Sequence, residues 1–312
     1  MIDIFMKALK KDKGDIPNHI AIAATNRKLV SAKIPPDKFF TSRFQAINNL
    51  IDAQAKYNVR KVTVFVSKSV EDSEYQTEFL QVLGKFLQDL AKNDKIKQHK
   101  IKIVVLGKWQ NLPDSLVQTI TTVMEQTREY SEFQFNICLS YDGRLEIVDA
   151  VNDLINELRK ENETKETENE TEIERQKNEE RDHAKIKETK NDVGNELSET
   201  DDADELEDTN DTTAELTSEI KKEMKTESVN EMVKQKIISE TISVEMINSY
   251  MKESVKPDLI IVVDGIKELQ GFLLWNSPSA KVYFSDKNMA DFSVHDLLKA
   301  IAHWQKWNKV QK

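Results

Sequence analysis

The chain has 312 residues, 38% hydrophobic and 32% charged, with a formal net charge of −10 at pH 7. That length and apolar content suit one large or two small globular domains. A single cysteine, Cys138, excludes an intramolecular disulfide and any cysteine-rich zinc site.

Residues 1–11 place Ile2, Phe5, Met6 and Leu9 on one helical face, expected to dock on the domain itself. "HIAIAA" (19–24) reads as a buried strand. The spacing of Phe40, Phe44, Ile47, Leu50 and Ile51 predicts a helix over 37–56. "KVTVFV" (61–66) is a β-branched strand, and Phe79, Val82, Leu83, Phe86, Leu87 and Leu90 form the stripe of the next helix. "IKIVVL" (101–106) gives a third strand. Pro113 then opens a helix at about 114–129 through Leu116, Ile120, Val123 and Met124. "FQFNICLS" (133–140) is a fourth strand, in which Cys138 is expected to be a small core residue. A helix follows with Ile147, Val148, Val151, Leu154, Ile155 and Leu158 on one face.

Residues 161–230 hold 25 Asp/Glu and 10 Lys/Arg, a local net charge of −15, and no Phe, Trp or Tyr. Such a segment contributes little to a core. It is expected to be an acidic insert, disordered or a solvated helix, between body segments 1–160 and 231–312. "DDADELED" (201–208) lacks the glycine and spacing of a calcium loop. Sequons at Asn162, Asn169 and Asn210 matter only in a glycosylating compartment. The remaining body is mildly basic, at about +5. An acidic segment beside it repels phosphate chains, so no nucleic-acid partner is expected.

After the insert, a helix near 232–252 leads to the strand "DLIIVV" (258–263), and "KVYFS" (281–285) gives another. The last helix starts at Ser293, with Asp296 in a capping-box arrangement, and runs to about 308. Strands alternating with helices predict an α/β fold, a mostly parallel central sheet flanked by helices on both faces. Ligands of such sheets bind beyond the carboxyl ends of the strands. Those ends are Ala24-Thr25-Asn26, Val66-Ser67, Ser140-Tyr141-Asp142 and Val263-Asp264-Gly265. The sequence has neither a signal-peptide pattern nor an apolar run of about 18 residues. A cytoplasmic location with at most peripheral membrane contact is expected.

Six ordered blocks resemble the cis-prenyltransferase family, the enzymes that make undecaprenyl and dehydrodolichyl diphosphate. They are "HIAIAATNRK", "VRKVTVFVSKS", "IKIVVLGKWQNLP", "FQFNICLSYDGRLEIVDAV", "PDLIIVVDGIKELQGFLLWNSPSAKVYFSD" and "DFSVHDLLKAI". The resemblance implies one α/β domain, usually dimeric, with a hydrophobic tunnel between helices and sheet. It also implies a reaction joining isopentenyl diphosphate to an allylic diphosphate. That chemistry needs magnesium on the leaving diphosphate and cationic side chains on the other.

The matching positions are changed. Thr25 and Asn26 stand where the family has its metal-binding aspartate and the following glycine. Lys68-Ser69-Val70 replaces Thr-Glu-Asn, and Val262 and Glu268 take the two arginine positions. Asp264 and Gln270 replace serines, Ile266 a glutamate, and Lys281 the glutamate implicated in metal binding. Val310-Gln311-Lys312 aligns with the family's carboxyl-terminal Arg-x-Gly. Asn136, Tyr141, Gly143, Arg144, Glu146, Gly265, Phe272 and Trp275 keep the family residue and are expected to serve the fold: a strand-end turn, a helix-start ion pair and apolar packing. Arg27, Lys28, Arg43 and Arg144 are candidates for residual phosphate binding. His19, His99, His183, His295 and His303 show no ligand spacing.

By resemblance to the Nogo-B receptor type of accessory subunit, the expected function is non-catalytic. The chain is expected to support a catalytic cis-prenyltransferase in a heteromeric polyprenyl diphosphate synthase, with magnesium held by that partner; a homodimer is the other assembly considered. The alternatives are a polyprenyl-lipid or prenyl-diphosphate binding protein, walled by the apolar stripes at 40–51 and 79–90, and an active transferase with a rearranged site.

Overall fold

Short apolar runs, most of them followed by an amphipathic helical segment, build a six-stranded sheet in the computed structural model. The strands are β1 (His19–Ala23), β2 (Lys61–Phe65), β3 (Ile101–Leu106), β4 (Phe133–Cys138), β5 (Leu259–Val262) and β6 (Lys281–Phe284). Their order is β3-β4-β2-β1-β5-β6, and every pairing is parallel. The structure describes residues 16–24, 35–68, 75–161, 164, 167, 171, 175, 242–252, 256–265 and 267–310. The expected helix at 1–11, most of the acidic insert, Thr25–Lys28 and Ile266 lie outside them.

The chain divides into two units, Met1–Val151 with Ser249–Lys312, and Asn152–Asn248. The first contains the sheet and the helices α1 (Pro36–Tyr57), α2 (Gln76–Ala91), α3 (Asp94–Gln98) and α4 (Asp114–Gln126). A further helix, α5, spans 143–161 and passes into the second unit. The second unit's described residues include helical positions 164, 167, 171 and 175, all exposed. There Thr171 Oγ1 donates to the Thr167 carbonyl at 2.7 Å, one helical turn back. Helix α6 (Val244–Tyr250) occupies only part of the span expected near 232–252. Residues 251 and 252 are not helical, and 232–241 lie outside the described residues. The last helix is α7 (Val294–Val310).

Alternation along the strands sorts side chains onto two faces. One face carries Ile20, Ile22, Val62, Val64, Ile103, Phe135, Ile137, Leu259 and Ile261 and packs against α1, α2, α4 and α7. The two predicted stripes meet there through aromatic rings. Phe40 and Phe79 are edge-to-face at 5.2 Å, and Phe44 stacks on Phe86 at 4.7 Å. Phe40, Phe44, Phe79 and Phe86 are each at most 3% exposed, so these stripes are core. Burying such a side chain stabilises by roughly 1.5–3 kcal/mol. The other face holds a smaller cluster: Ala21, Ala23, Cys138, Ile260 and Val262 with Tyr141, Phe272 and Leu273 from beyond the strands.

Helix ends follow local chemistry. Pro36 starts α1, and Asn58 ends it in the left-handed region with φ 58, where the Val59 amide donates to the Gln54 carbonyl at 3.0 Å. Helix α4 stops at Gln126, three residues short of the expected 129. Thr127 Oγ1 donates to the Val123 carbonyl and accepts from the Ile103 amide, both at 3.0 Å, anchoring the chain to β3. At α7 the Ser293 amide and hydroxyl both donate to Asp296, at 3.0 and 2.6 Å.

Candidate functional site

All six strands are parallel, so their carboxyl ends share one edge of the sheet. The turn after β4 is set by two short chain approaches. The Tyr141 amide donates to the Ser67 carbonyl, and the Ser140 amide to Ser67 Oγ, each at 3.0 Å, tying it to the end of β2. The Gly143 amide donates to the Gly271 carbonyl at 3.1 Å. A Cβ on Gly143 would lie 2.3 Å from that oxygen, so only glycine lets α5 start here.

The Asp142 carboxylate of this turn is paired close by. Asp142 accepts from Arg144 at Nη2 (2.7 Å), Nε (3.1 Å) and the backbone amide (3.0 Å), and pairs with Lys68 at 3.4 Å. The Arg144 side chain, more than burial opposes, holds the Asp142 carboxyl at about 2. The same pairing raises the Arg144 guanidinium. The expected ion pair at the helix start is therefore Asp142–Arg144. Glu146 instead accepts the Tyr141 hydroxyl in a short hydrogen bond. Burial first, then the neighbouring Cys138 and Glu146, pushes the Tyr141 hydroxyl far above its usual range. Tyr141 also meets Phe272 edge-to-face at 6.2 Å. A shallow cleft beside the turn mixes Lys108 and Lys252 with Asp142, Glu146 and Asp149, and Lys108 is paired with Asp149.

The turn after β5 has a different character. Val262 is fully buried in the apolar cluster with Phe272 and Leu273. Asp264, 4% exposed, adopts φ 71, and its amide donates to the Lys287 carbonyl at 2.7 Å. Its Oδ1 accepts from the Met289 amide at 3.2 Å. The Gly265 amide donates to Ser285, and Lys287 Nζ donates to Asp296 at 2.9 Å. Burial pushes Asp296 up, but the Ser293 and Lys287 hydrogen bonds outweigh it and the net shift is downward. Glu268 and Gln270 are exposed, and Trp275 is half-buried.

Of the four basic candidates, Arg27 and Lys28 lie outside the described residues. Arg144 is exposed and committed to Asp142. Arg43, a candidate anion contact in the sequence, is instead fully buried. Its Nη2 donates to the carbonyls of Phe65 (3.2 Å) and Val66 (2.8 Å) at the end of β2. Burial lowers its pKa to about 10, against an opposing effect of the Asp264 charge. Sequence reasoning counted Arg43 as a candidate anion contact and missed that its donors go to the carbonyls at the end of β2.

Lys281 does not join the strand-end residues. It pairs in register with Leu259, three residues before the end of β5, roughly 10 Å back along the strand. Its ammonium donates to Asn308 of α7. A cation so engaged does not fit a magnesium ligand. Among the described residues, no group of three or more His, Cys, Asp or Glu side chains stands together as a metal site. Likewise no described helix is long and apolar enough to cross a membrane.

Comparison with known proteins places this arrangement. The solved structure of lavandulyl diphosphate synthase from Lavandula x intermedia, in complex with dimethylallyl diphosphate, superposes with a TM-score of 0.59 at 17% identity, covering 93% of this chain and 95% of that one. That likeness shows the fold. The geranylgeranyl-diphosphate-specific tritrans,polycis-undecaprenyl-diphosphate synthase of Picrophilus torridus is 22% identical over 300 residues, covering 94% of this chain and 89% of that protein. The synthase of the same description from Thermococcus kodakarensis is 28% identical over 152 residues, covering 47% of this chain and just over half, 57%, of its own length. A family model for undecaprenyl diphosphate synthase matches residues 26–311. The chain belongs to the undecaprenyl diphosphate synthase family of cis-prenyltransferases.

Proposed function

We propose that this chain is a catalytically degenerate cis-prenyltransferase that serves as the non-catalytic subunit of a heteromeric polyprenyl diphosphate synthase. The observation that carries this reading is Val262. It occupies the family's diphosphate-binding arginine position and is sealed in an apolar cluster with Phe272 and Leu273. Nearby, Asp264 gives its carboxylate to the Met289 amide, and Glu268 presents a negative charge at the second arginine position. Exchanging a diphosphate-binding cation for a carboxylate turns attraction into repulsion, on the order of several kcal/mol in a partly desolvated site. Magnesium and the reacting diphosphates then belong to the partner.

The intact turn after β4 supports the subunit role. Leu145 and Val148 are 51% and 53% exposed on successive turns of α5, and Leu274, 43% exposed, lies against Gly143 at the start of that helix. Together they offer an apolar surface to a second subunit. Co-expression with a family member that retains the Asp-Gly-Asn and Arg-Thr-Ser-Gly-Glu motifs tests the proposal. The two chains should co-purify, the partner's turnover should rise, and Leu145→Asp with Val148→Asp should abolish both effects. Absence of association together with unchanged turnover would defeat it.

A further inference from the structure

Strand alternation puts His19 of β1, Thr63 of β2 and Asn136 of β4 on the face that also carries Ala21 and Cys138. None of the three polar side chains is exposed. His19 Nε2 and Thr63 Oγ1 are 2.8 Å apart, and Asn136 Nδ2 donates to the same Oγ1 at 3.0 Å. Gln134 Nε2 in turn donates to Asn136 Oδ1 at 2.7 Å. Four side chains thus join three strands, and of the four only Gln134, at the outer end, is partly exposed.

The chemistry of these groups gives the row a direction. An amide nitrogen only donates, so Asn136 takes a lone pair of the Thr63 hydroxyl and leaves its hydrogen for His19. His19 Nε2 must then accept, which makes the ring neutral with its proton on Nδ1. An imidazolium would aim a second donor at Thr63 and strand the hydroxyl hydrogen in a buried place. It fits only if Asn136 and Gln134 both turn their amides over, so that the row runs outward from His19.

We propose that His19, Thr63, Asn136 and Gln134 form a one-way hydrogen-bond ladder that holds His19 neutral and couples its proton uptake to the joint between β1, β2 and β4. The ladder belongs to this chain's own fold and stands apart from the subunit role. The charged groups beside His19 in the sheet are Lys61, its partner in register, and Asp258, whose Oδ2 accepts the His19 amide at 2.9 Å. Lys61 opposes a second positive charge there and Asp258 favours it, so they offset one another. The group that α7 brings to Asp258, Trp304, is uncharged. Unfolding frees His19 to bind the proton that the ladder refuses. Its contribution to stability is therefore complete above about pH 6.5 and is lost as pH falls through that value.

Nitrogen NMR of the full chain, with the His19 ring assigned through its backbone, reads the ladder directly. At neutral pH Nε2 should carry no proton and Nδ1 should carry one. Asn136→Asp puts an acceptor where the donor stood, so it should turn the Thr63 hydroxyl around and move the proton onto Nε2. In urea unfolding, the folding equilibrium constant of the parent should fall, relative to that of His19→Gln, by up to about tenfold per pH unit below about pH 6.5. If either variant does not fold, the tautomer of the parent decides alone. A protonated Nε2 in the parent at neutral pH would overturn the proposal. So would a folded Asn136→Asp whose Nε2 stays bare, or the same pH dependence with and without His19.

Discussion

The turn after β4 and the turn after β5 leave the same edge of one sheet, yet they are held by different means. In the first, Tyr141 bonds Glu146, Arg144 bonds Asp142, and the Gly143 amide bonds the Gly271 carbonyl at the start of α5. The second buries Val262 among Phe272 and Leu273, holds Asp264 and Gly265 at positive φ and gives the Asp264 carboxylate to the Met289 amide. Under the proposed reading these residues stand where diphosphate ligands would. The contacts of the first turn serve the fold whether or not the chain catalyses. The second turn, by contrast, is held by an apolar cluster and by backbone groups.

The largest effect is expected at position 262, where the proposed reading has an arginine replaced. Val262→Arg places an unpaired charge in the cluster of Val262, Phe272 and Leu273. It should cost on the order of several kcal/mol in urea unfolding and give no pyrophosphate affinity. Normal stability together with tight pyrophosphate binding would mean that the turn is still a ligand site. At the first turn, Gly143→Ala sets a Cβ against the Gly271 carbonyl and should lose about 1–3 kcal/mol by the same measurement. An unchanged midpoint would remove the packing account of that glycine.

The smallest effect concerns pH. The Asp142 carboxyl is depressed to about 2 by Arg144, so its contribution to stability is complete above its unfolded value near 3.8 and disappears as pH falls through about 2. Asp142→Asn should therefore lower stability slightly at neutral pH and flatten the acid limb between about pH 4 and 2. An acid limb identical to that of the parent chain would show that Asp142 does not titrate through this pairing.

Much of the fold was legible because its signals are local. The β-branched runs at 61–66 and 101–106 and the phenylalanine stripe from Phe40 to Phe86 each report burial through spacing alone. The candidate site was legible only where short motifs carry it. Arg43 looked like a surface cation by residue type, although its place between Phe40 and Ile47 put it on the inward stripe, and that spacing was the available signal. Its acceptors, the Phe65 and Val66 carbonyls, lie 22 and 23 positions away at the end of β2, and only the packing of α1 on the sheet brings them to it. Lys281 matched a metal position by alignment, but strand register and Asn308 set its actual neighbours. Thr127 ended α4 early through a contact with β3 that no local pattern encodes.

Incorporation of labelled isopentenyl diphosphate by the isolated chain, with an allylic diphosphate and magnesium supplied, tests the central claim most directly. No chain elongation above a protein-free control is expected, and elongation only when a family member with intact motifs is added. Elongation by the isolated chain, proportional to its concentration, would contradict it.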